Sequence, residues 1–262
     1  MFRLLFIGDV VGDSGCAAVR DFVPGLRREL NLDAVVANGE NSAPGGRGIS
    51  AESGADLLNT VDFLTLGNHA FDADDGTFLE AEPRIVRPAN LKENAPGRGW
   101  GVFEADGARV GVANVQGRVF LDNRLRSPFA AADRAMEELR SSGADVVLVD
   151  VHAEATSEKL AMGRHLAGRA QVVVGTHTHV PTADLDVLEG GTAYATDVGM
   201  TGDPAGVIGF NGDQFLGLFL GERISGLSVA KGPADLNAVL IGIDVENRRA
   251  VSIERVYRGR AE

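Results

Sequence analysis

Cysteine is nearly missing from this chain, with Cys16 standing alone among 262 residues. An intrachain disulfide is therefore excluded, and the composition fits a reducing cytoplasm. Positive charge is also scarce: 25 Lys and Arg face 37 Asp and Glu, giving a net charge of −12. Stable nucleic-acid binding through a basic patch is not expected. A phosphate can still be held by an acidic protein if cations in the site reverse the local field. Long hydrophobic runs are lacking as well. The opening MFRLLFIGDV reaches Asp9 too early for a signal peptide or a membrane span, and reads as a first core strand. No linker, repeat or biased segment breaks the chain. Its 34 glycines follow no period and suggest tight loops between strands and helices. Residues 1–262 are expected to form a single domain, with no membrane partner.

What is present is a succession of apolar runs that each end on polar residues. Arg3 to Gly8 predicts a strand, Gly12, Asp13 and Gly15 a loop, and Cys16 to Leu30 a helix kinked at Pro24. DAVVAN predicts a second buried strand that ends in Gly39-Glu40-Asn41, and Asp62 to Leu66 a third that ends in Gly67-Asn68-His69. A helix is expected over Ala51 to Leu58, and a hairpin about Asp106-Gly107 within Gly101 to Val115. A helix over Ala130 to Ser142 precedes the strand Asp145 to Val151, which runs into His152. Thr156 is a cap for the next helix. Val172 to Val174 leads into GTHTH, where alternation along an extended segment would aim His177 and His179 the same way. The tail predicts a strand at Ala193 to Thr196, a helix near Gln214 to Leu220 and a strand pair at Ala238 to Val245 and Ala250 to Tyr257.

Open α/β sheets keep ligands beyond the carboxyl ends of their strands. Those ends collect Asp9, Glu40, Asn41, Asn68, His69, His152, His177 and His179. One such residue is ordinarily a helix cap or turn former. The whole set is a ligand inventory of carboxylate, imidazole and amide oxygen, suited to two divalent ions such as iron, manganese or zinc. His165 lies outside every motif and reads as structural or solvent-exposed. Gly12-Asp13-Ser14-Gly15 opens a helix, so Ser14 is not a nucleophile, and Cys16 reads as packing. The PGGRG loop lacks the Lys-Ser/Thr ending of a P-loop, and Arg47 and Arg118 read as solvated or structural.

The series GDV, GEN, GNH, His152 and GTHTH resembles the calcineurin-like metallophosphoesterase superfamily. GDVVG, NGEN, LGNH, RPAN, DVHAEATSEKLA, VVGTHTHVPTAD and DVGMTG together look like its YmdB-like subfamily of 2′,3′-cyclic-nucleotide 2′-phosphodiesterases, from Leu5 to about Gly209. Asp9-Val10-Val11 replaces the superfamily's Asp-x-His and Gly39-Glu40 its Gly-Asp, and both departures also mark the subfamily.

The resemblance implies an α/β fold, a four-layer α/β/β/α sandwich of metallophosphoesterase type. It implies two divalent ions, iron first and manganese or zinc next. Asp9, Asn41 and His179 would hold one, Asn68, His152 and His177 the other, and Glu40 would bridge them. His69 would be the general acid. From the residues alone, Asp72 either orients that ring for catalysis or simply bonds a loop histidine, and Asp150 and Glu154, which flank His152 at spacing two and share its side of an extended chain, are candidates to support it. The implied reaction is hydrolysis of a small-molecule 2′,3′-cyclic nucleotide to a 3′-nucleotide by a metal-bridging hydroxide, in a cytoplasmic homo-oligomer. Two other readings compete. The same metals would serve another phosphoester (a 3′,5′-cyclic nucleotide, a monoester or an RNA end), or the fold would be a metal-containing regulatory binding module with little turnover.

Overall fold

The computed structural model describes residues 1–259. Its first third winds β1 (Phe2–Ile7), β2 (Asp9–Val10), α1 (Gly12–Glu29), β3 (Ala34–Asn38), α2 (Ala51–Leu58), β4 (Phe63–Thr65), α3 (Thr77–Ala81) and β5 (Ile85–Val86). The hairpin β6 (Trp100–Ala105) and β7 (Ala108–Gln116) follows, then α4 (Pro128–Ser141), β8 (Val146–His152), α5 (Thr156–Leu166) and β9 (Val172–Thr176). The chain closes with β10 (Asp186–Leu188), β11 (Thr192–Ala195), β12 (Met200–Thr201), α6 (Gly212–Phe219), β13 (Leu236–Asp244) and β14 (Arg249–Arg258).

Two six-stranded sheets result, in the orders β14-β13-β1-β3-β4-β5 and β10-β11-β9-β8-β7-β6. The inner strands of each are parallel, and the antiparallel pairs lie towards the edges. Alternation along the strands builds three apolar layers from this arrangement. In β1, Leu4 and Phe6 face the other sheet, where Val110, Val112, Leu148 and Val174 meet them. Leu5 and Ile7 face outward onto Val19, Val23 and Leu26 of α1 and Leu57 of α2. On the far side, Val147, Val149 and Val173 pack against Met136 and Leu139 of α4 and Met162 of α5. Helix, sheet, sheet and helix are thus the four layers of an α/β/β/α sandwich.

Local differences from the sequence expectations have physical causes. Helix α1 starts at Gly12, four residues ahead of the predicted start at Cys16. Gly15 belongs to its first turn because a Cβ there would lie 2.5 Å from the Thr201 carbonyl, so the glycine permits close packing. Thr156 is the first helical residue of α5; Ala155 holds the cap position, with no side-chain cap bond. Asp106 and Gly107 both have positive φ, 44° and 76°, as the tight turn of the predicted hairpin requires.

Candidate metal centre

The carboxyl ends of the parallel strands from both sheets meet at one place. Asp9 opens short β2, which pairs with β12, and its carboxylate accepts from the His177 amide at 3.1 Å. Glu40 and Asn41 follow β3, Asn68 and His69 follow β4, His152 ends β8, and His177 and His179 follow β9. Asp9, Glu40, Asn41, His152 and His179 are buried.

His152 is the hub. Its Nε2 lies 2.7 Å from Glu40 Oε1, 3.0 Å from Asn68 Oδ1 and 3.0 Å from His177 Nδ1. On the opposite side of the ring, Nδ1 is 2.9 Å from Thr176 Oγ1, and that hydroxyl donates to Asp150 Oδ1 at 2.7 Å. The Thr176 hydroxyl is thus committed to Asp150, and Nδ1–H donates to it. The other two imidazoles follow the same scheme. His177 Nε2 lies 3.1 Å from Glu154 Oε2, and His179 Nδ1 donates to the Ile208 carbonyl at 2.9 Å. Each ring spends its outer N–H on an oxygen and turns the other nitrogen inward, as metal-ligating histidines do. His179 Nε2 points towards Asp9, 4.0 Å from Oδ1, and His152 Nδ1 is 3.8 Å from the same oxygen.

The converging atoms are nearly all lone-pair donors, which suits a cation. Glu40, His152 and His177 alone bring ligand atoms within 4.8 Å of one another. Asn41 adds a further sign. Its Nδ2 donates to the Gly46 carbonyl at 2.8 Å, while its buried Oδ1 has no hydrogen-bond partner. Without a metal, protons must fill this role. Burial opposes a charge on His152, but the Glu40 and Asp9 carboxylates prevail and push the ring up to about 9. His177, largely shielded from solvent and next to that ring, is pushed down to about 3. Burial alone would raise Glu40, yet His152 and the His69 amide hold it at about 2. Burial raises Asp9 to about 6 against the pull of His179 and His152. The donor set therefore fits divalent ions, which would displace those protons.

Asp9, Glu40, Asn68, His152, His177 and His179 make up the cluster, and His69, Asp72 and Asp150 adjoin it. His69 donates its amide to Glu40 Oε2 at 3.0 Å, and its half-exposed ring places Nδ1 2.7 Å from Asp72 Oδ2. Asp150 is fully buried and accepts from Thr65, Thr176 and Asn38, and burial raises its pKa. His165 lies away from the site, joining α5 to Asp133 of α4 at 2.9 Å.

The geometry of GTHTH corrects the sequence reading. His177 and His179 are not in extended backbone; their φ angles are +97° and +65°. Strand β9 stops at Thr176, and two left-handed turns bring the rings to different parts of the cluster. Such backbone persists only when surroundings hold it. The holder is Asp197, which sequence reasoning missed. Its Oδ2 accepts from Thr178 N at 3.2 Å, Thr178 Oγ1 at 2.7 Å and the buried Lys159 Nζ at 2.7 Å. The signal was present in DVGMTG and DVHAEATSEKLA, which carry Asp197 and Lys159 outside any metal motif.

Fold and site together define a protein of metallophosphoesterase type. More narrowly, the sequence profile of the family described as "YmdB-like protein" matches residues 5–256, and the chain belongs to that family. A curated relative, the 2′,3′-cyclic-nucleotide 2′-phosphodiesterase of Bacillus subtilis, is 42% identical over 256 residues, covering 97% of this chain and 96% of the relative. A crystal structure of a hypothetical protein from Thermus thermophilus superposes with a TM-score of 0.91 at 42% identity, covering 98% of this chain and 99% of that one. A Mycoplasma pneumoniae structure described as a novel phosphatase has a TM-score of 0.90 at 33% identity, covering 98% and 93%.

Proposed function

We propose that the chain, acting as one domain, hydrolyses 2′,3′-cyclic nucleotides at the 2′-oxygen and releases 3′-nucleotides. The observation that carries this reading is the inward turn of three imidazole nitrogens onto Asp9, Glu40 and Asn68, with the His69–Asp72 pair at the rim. Asp9, Asn41 and His179 would hold one divalent ion, Asn68, His152 and His177 a second, and Glu40 both. When bound, the two ions supply Lewis acidity to the phosphoryl oxygens and lower the pKa of a water between them towards neutrality. Iron is favoured over manganese and zinc by the resemblance to the subfamily, and the mixed nitrogen and oxygen donors suit all three.

The chain's own contribution is to place donors and move a proton. Asp72 accepts from His69 Nδ1 and so fixes the ring, leaving Nε2 to protonate the departing ribose 2′-oxygen. Thr176, Glu154 and Ile208 fix the three inner rings in one tautomer each. The name of the Bacillus relative supports the substrate class. We place the enzyme in the cytoplasm as a homo-oligomer; among the described residues no helix is long and apolar enough to cross a membrane.

Initial rates on 2′,3′-cyclic AMP, 3′,5′-cyclic AMP and 3′-AMP, measured with manganese-loaded protein, test the reading. A clear preference for the 2′,3′-cyclic substrate is expected. Equal or faster turnover of the monoester would replace the phosphodiesterase by a phosphatase on the same centre.

A further inference from the structure

A second, unrelated cavity of about 470 Å³ opens between the β5–β6 connection and α4, and it is cationic. Its walls carry Arg87, Arg98, Arg126 and Arg134 against one acid, Glu93, in a protein of net charge −12. None of the metal-centre residues lines it. Like charges gathered at one place need a counter-charge, and here they interact: burial first, then the Arg126 guanidinium, lowers the pKa of Arg87.

Three of the four arginines have distinct parts. Arg87 is buried, with its guanidinium donating to the carbonyls of Pro88, Ala95, Pro96 and Gly97, so it offers field rather than a free fork. Arg126 and Arg134 converge on Glu93 Oε1, at the long distances of 3.5 and 3.9 Å. That carboxylate is 82% exposed and free to swing out, and it marks where an incoming oxyanion would bind. Arg134 lies over the Trp100 ring, 5.7 Å from its centroid, so aromatic surface borders the cationic one. The first turn of the 14-residue α4 also lines the cavity and adds the positive end of its dipole. The wall is rigid, because buried Asn90 exchanges hydrogen bonds with the Arg126 backbone at 3.3 and 3.2 Å.

We infer that this cavity binds a nucleoside phosphomonoester, with its phosphate replacing Glu93 between Arg126 and Arg134. The volume exceeds what a bare phosphate needs and falls in the range of small-ligand sites. The inference is independent of the reaction at the metal centre.

Trp100 is the chain's only tryptophan and borders the cavity, so its fluorescence reports this place alone. Metal-loaded protein would be titrated with 5′-AMP, inorganic phosphate and adenosine, with calorimetry alongside. Expected are saturable binding of 5′-AMP, weaker binding of phosphate and none of adenosine. Arg126→Ala combined with Arg134→Ala should weaken 5′-AMP binding, read by calorimetry, about tenfold or more, with hydrolysis unchanged. Glu93→Ala should tighten it by removing the competing carboxylate, and Asp9→Asn should leave it intact. Adenosine binding as tightly as 5′-AMP would overturn the inference. So would calorimetric binding that survives the arginine substitutions or vanishes in Asp9→Asn, or no binding at all.

Discussion

Glu40 carries the greatest burden at the scale of single residues, because one carboxylate meets both His152 and the His69 amide. Glu40→Gln is expected to retain the fold and lose metal, with turnover reduced by at least about a thousandfold in line with the loss of a metal-generated nucleophile. Elemental analysis beside circular dichroism checks this, and a fully metallated, active variant would contradict it. His69→Ala should cost about 10²–10⁴ in rate while metal content stays unchanged, since its ring contacts Asp72 rather than the imidazole cluster. Loss of metal in that variant would make His69 a structural residue. Cys16 offers a control away from the site. Burial first, then the Asp56 and Asp13 carboxylates, push its thiol up to about 12. The folded protein should therefore resist iodoacetamide at pH 8, when the thiol is protonated, and react once unfolded.

At the scale of elements, the end of β9 from Gly175 and the loop that follows to Val180 decide whether the histidines converge. Gly175 has no room for a side chain: a Cβ would lie 1.8 Å from the Thr196 carbonyl and 2.8 Å from Lys159 Cδ. Gly175→Ala should destabilise by at least about 1–3 kcal/mol. Asp197→Asn leaves Lys159 buried without its carboxylate, at a cost of about 3–5 kcal/mol. It should also weaken metal binding, because the amide keeps one acceptor oxygen where Gly199 N and Thr178 each use one, and the hold on the His177–His179 segment loosens. Calorimetric unfolding and competition with a chelating dye separate the two effects. A variant with lowered stability but undiminished metal affinity would show that Asp197 supports the fold alone.

These elements show what the sequence could and could not disclose. Apolar runs closed by Gly-Asp, Gly-Glu-Asn and Gly-Asn-His made the strand ends legible, because strand period and loop chemistry are local properties. The start of helix α1 lies earlier than local pattern indicates because Gly15 packs against the Thr201 carbonyl of β12 and Gly12 against Val229, contacts with residues far along the chain. The His-x-His geometry was misread for a similar reason. Local pattern says extended, while Asp197 and Lys159 impose positive φ from a distance. Asp150 was visible as a neighbour of His152, but the Thr176 hydroxyl that links the two is a tertiary feature.

Across the whole molecule, the site is a clasp between two sheets. Glu40, Asn41 and Asn68 come from the sheet containing β1, and His152, His177 and His179 from the other. A metal bound there would tie the layers together as well as serve chemistry. Binding to the folded state alone stabilises by about 2.7 kcal/mol at a hundred times Kd. Chelation should therefore lower Tm, and added manganese should restore it in the unmodified protein but not in Asp9→Asn. An unchanged Tm would place the ion-binding energy outside the fold.

The most direct measurement is product analysis after metal-loaded protein meets 2′,3′-cyclic AMP, with chelated protein and Glu40→Gln in parallel. The expected product is 3′-AMP, from the loaded protein only. Formation of 2′-AMP would reverse the leaving group assigned to His69, and no product from fully metallated protein would contradict the proposed activity.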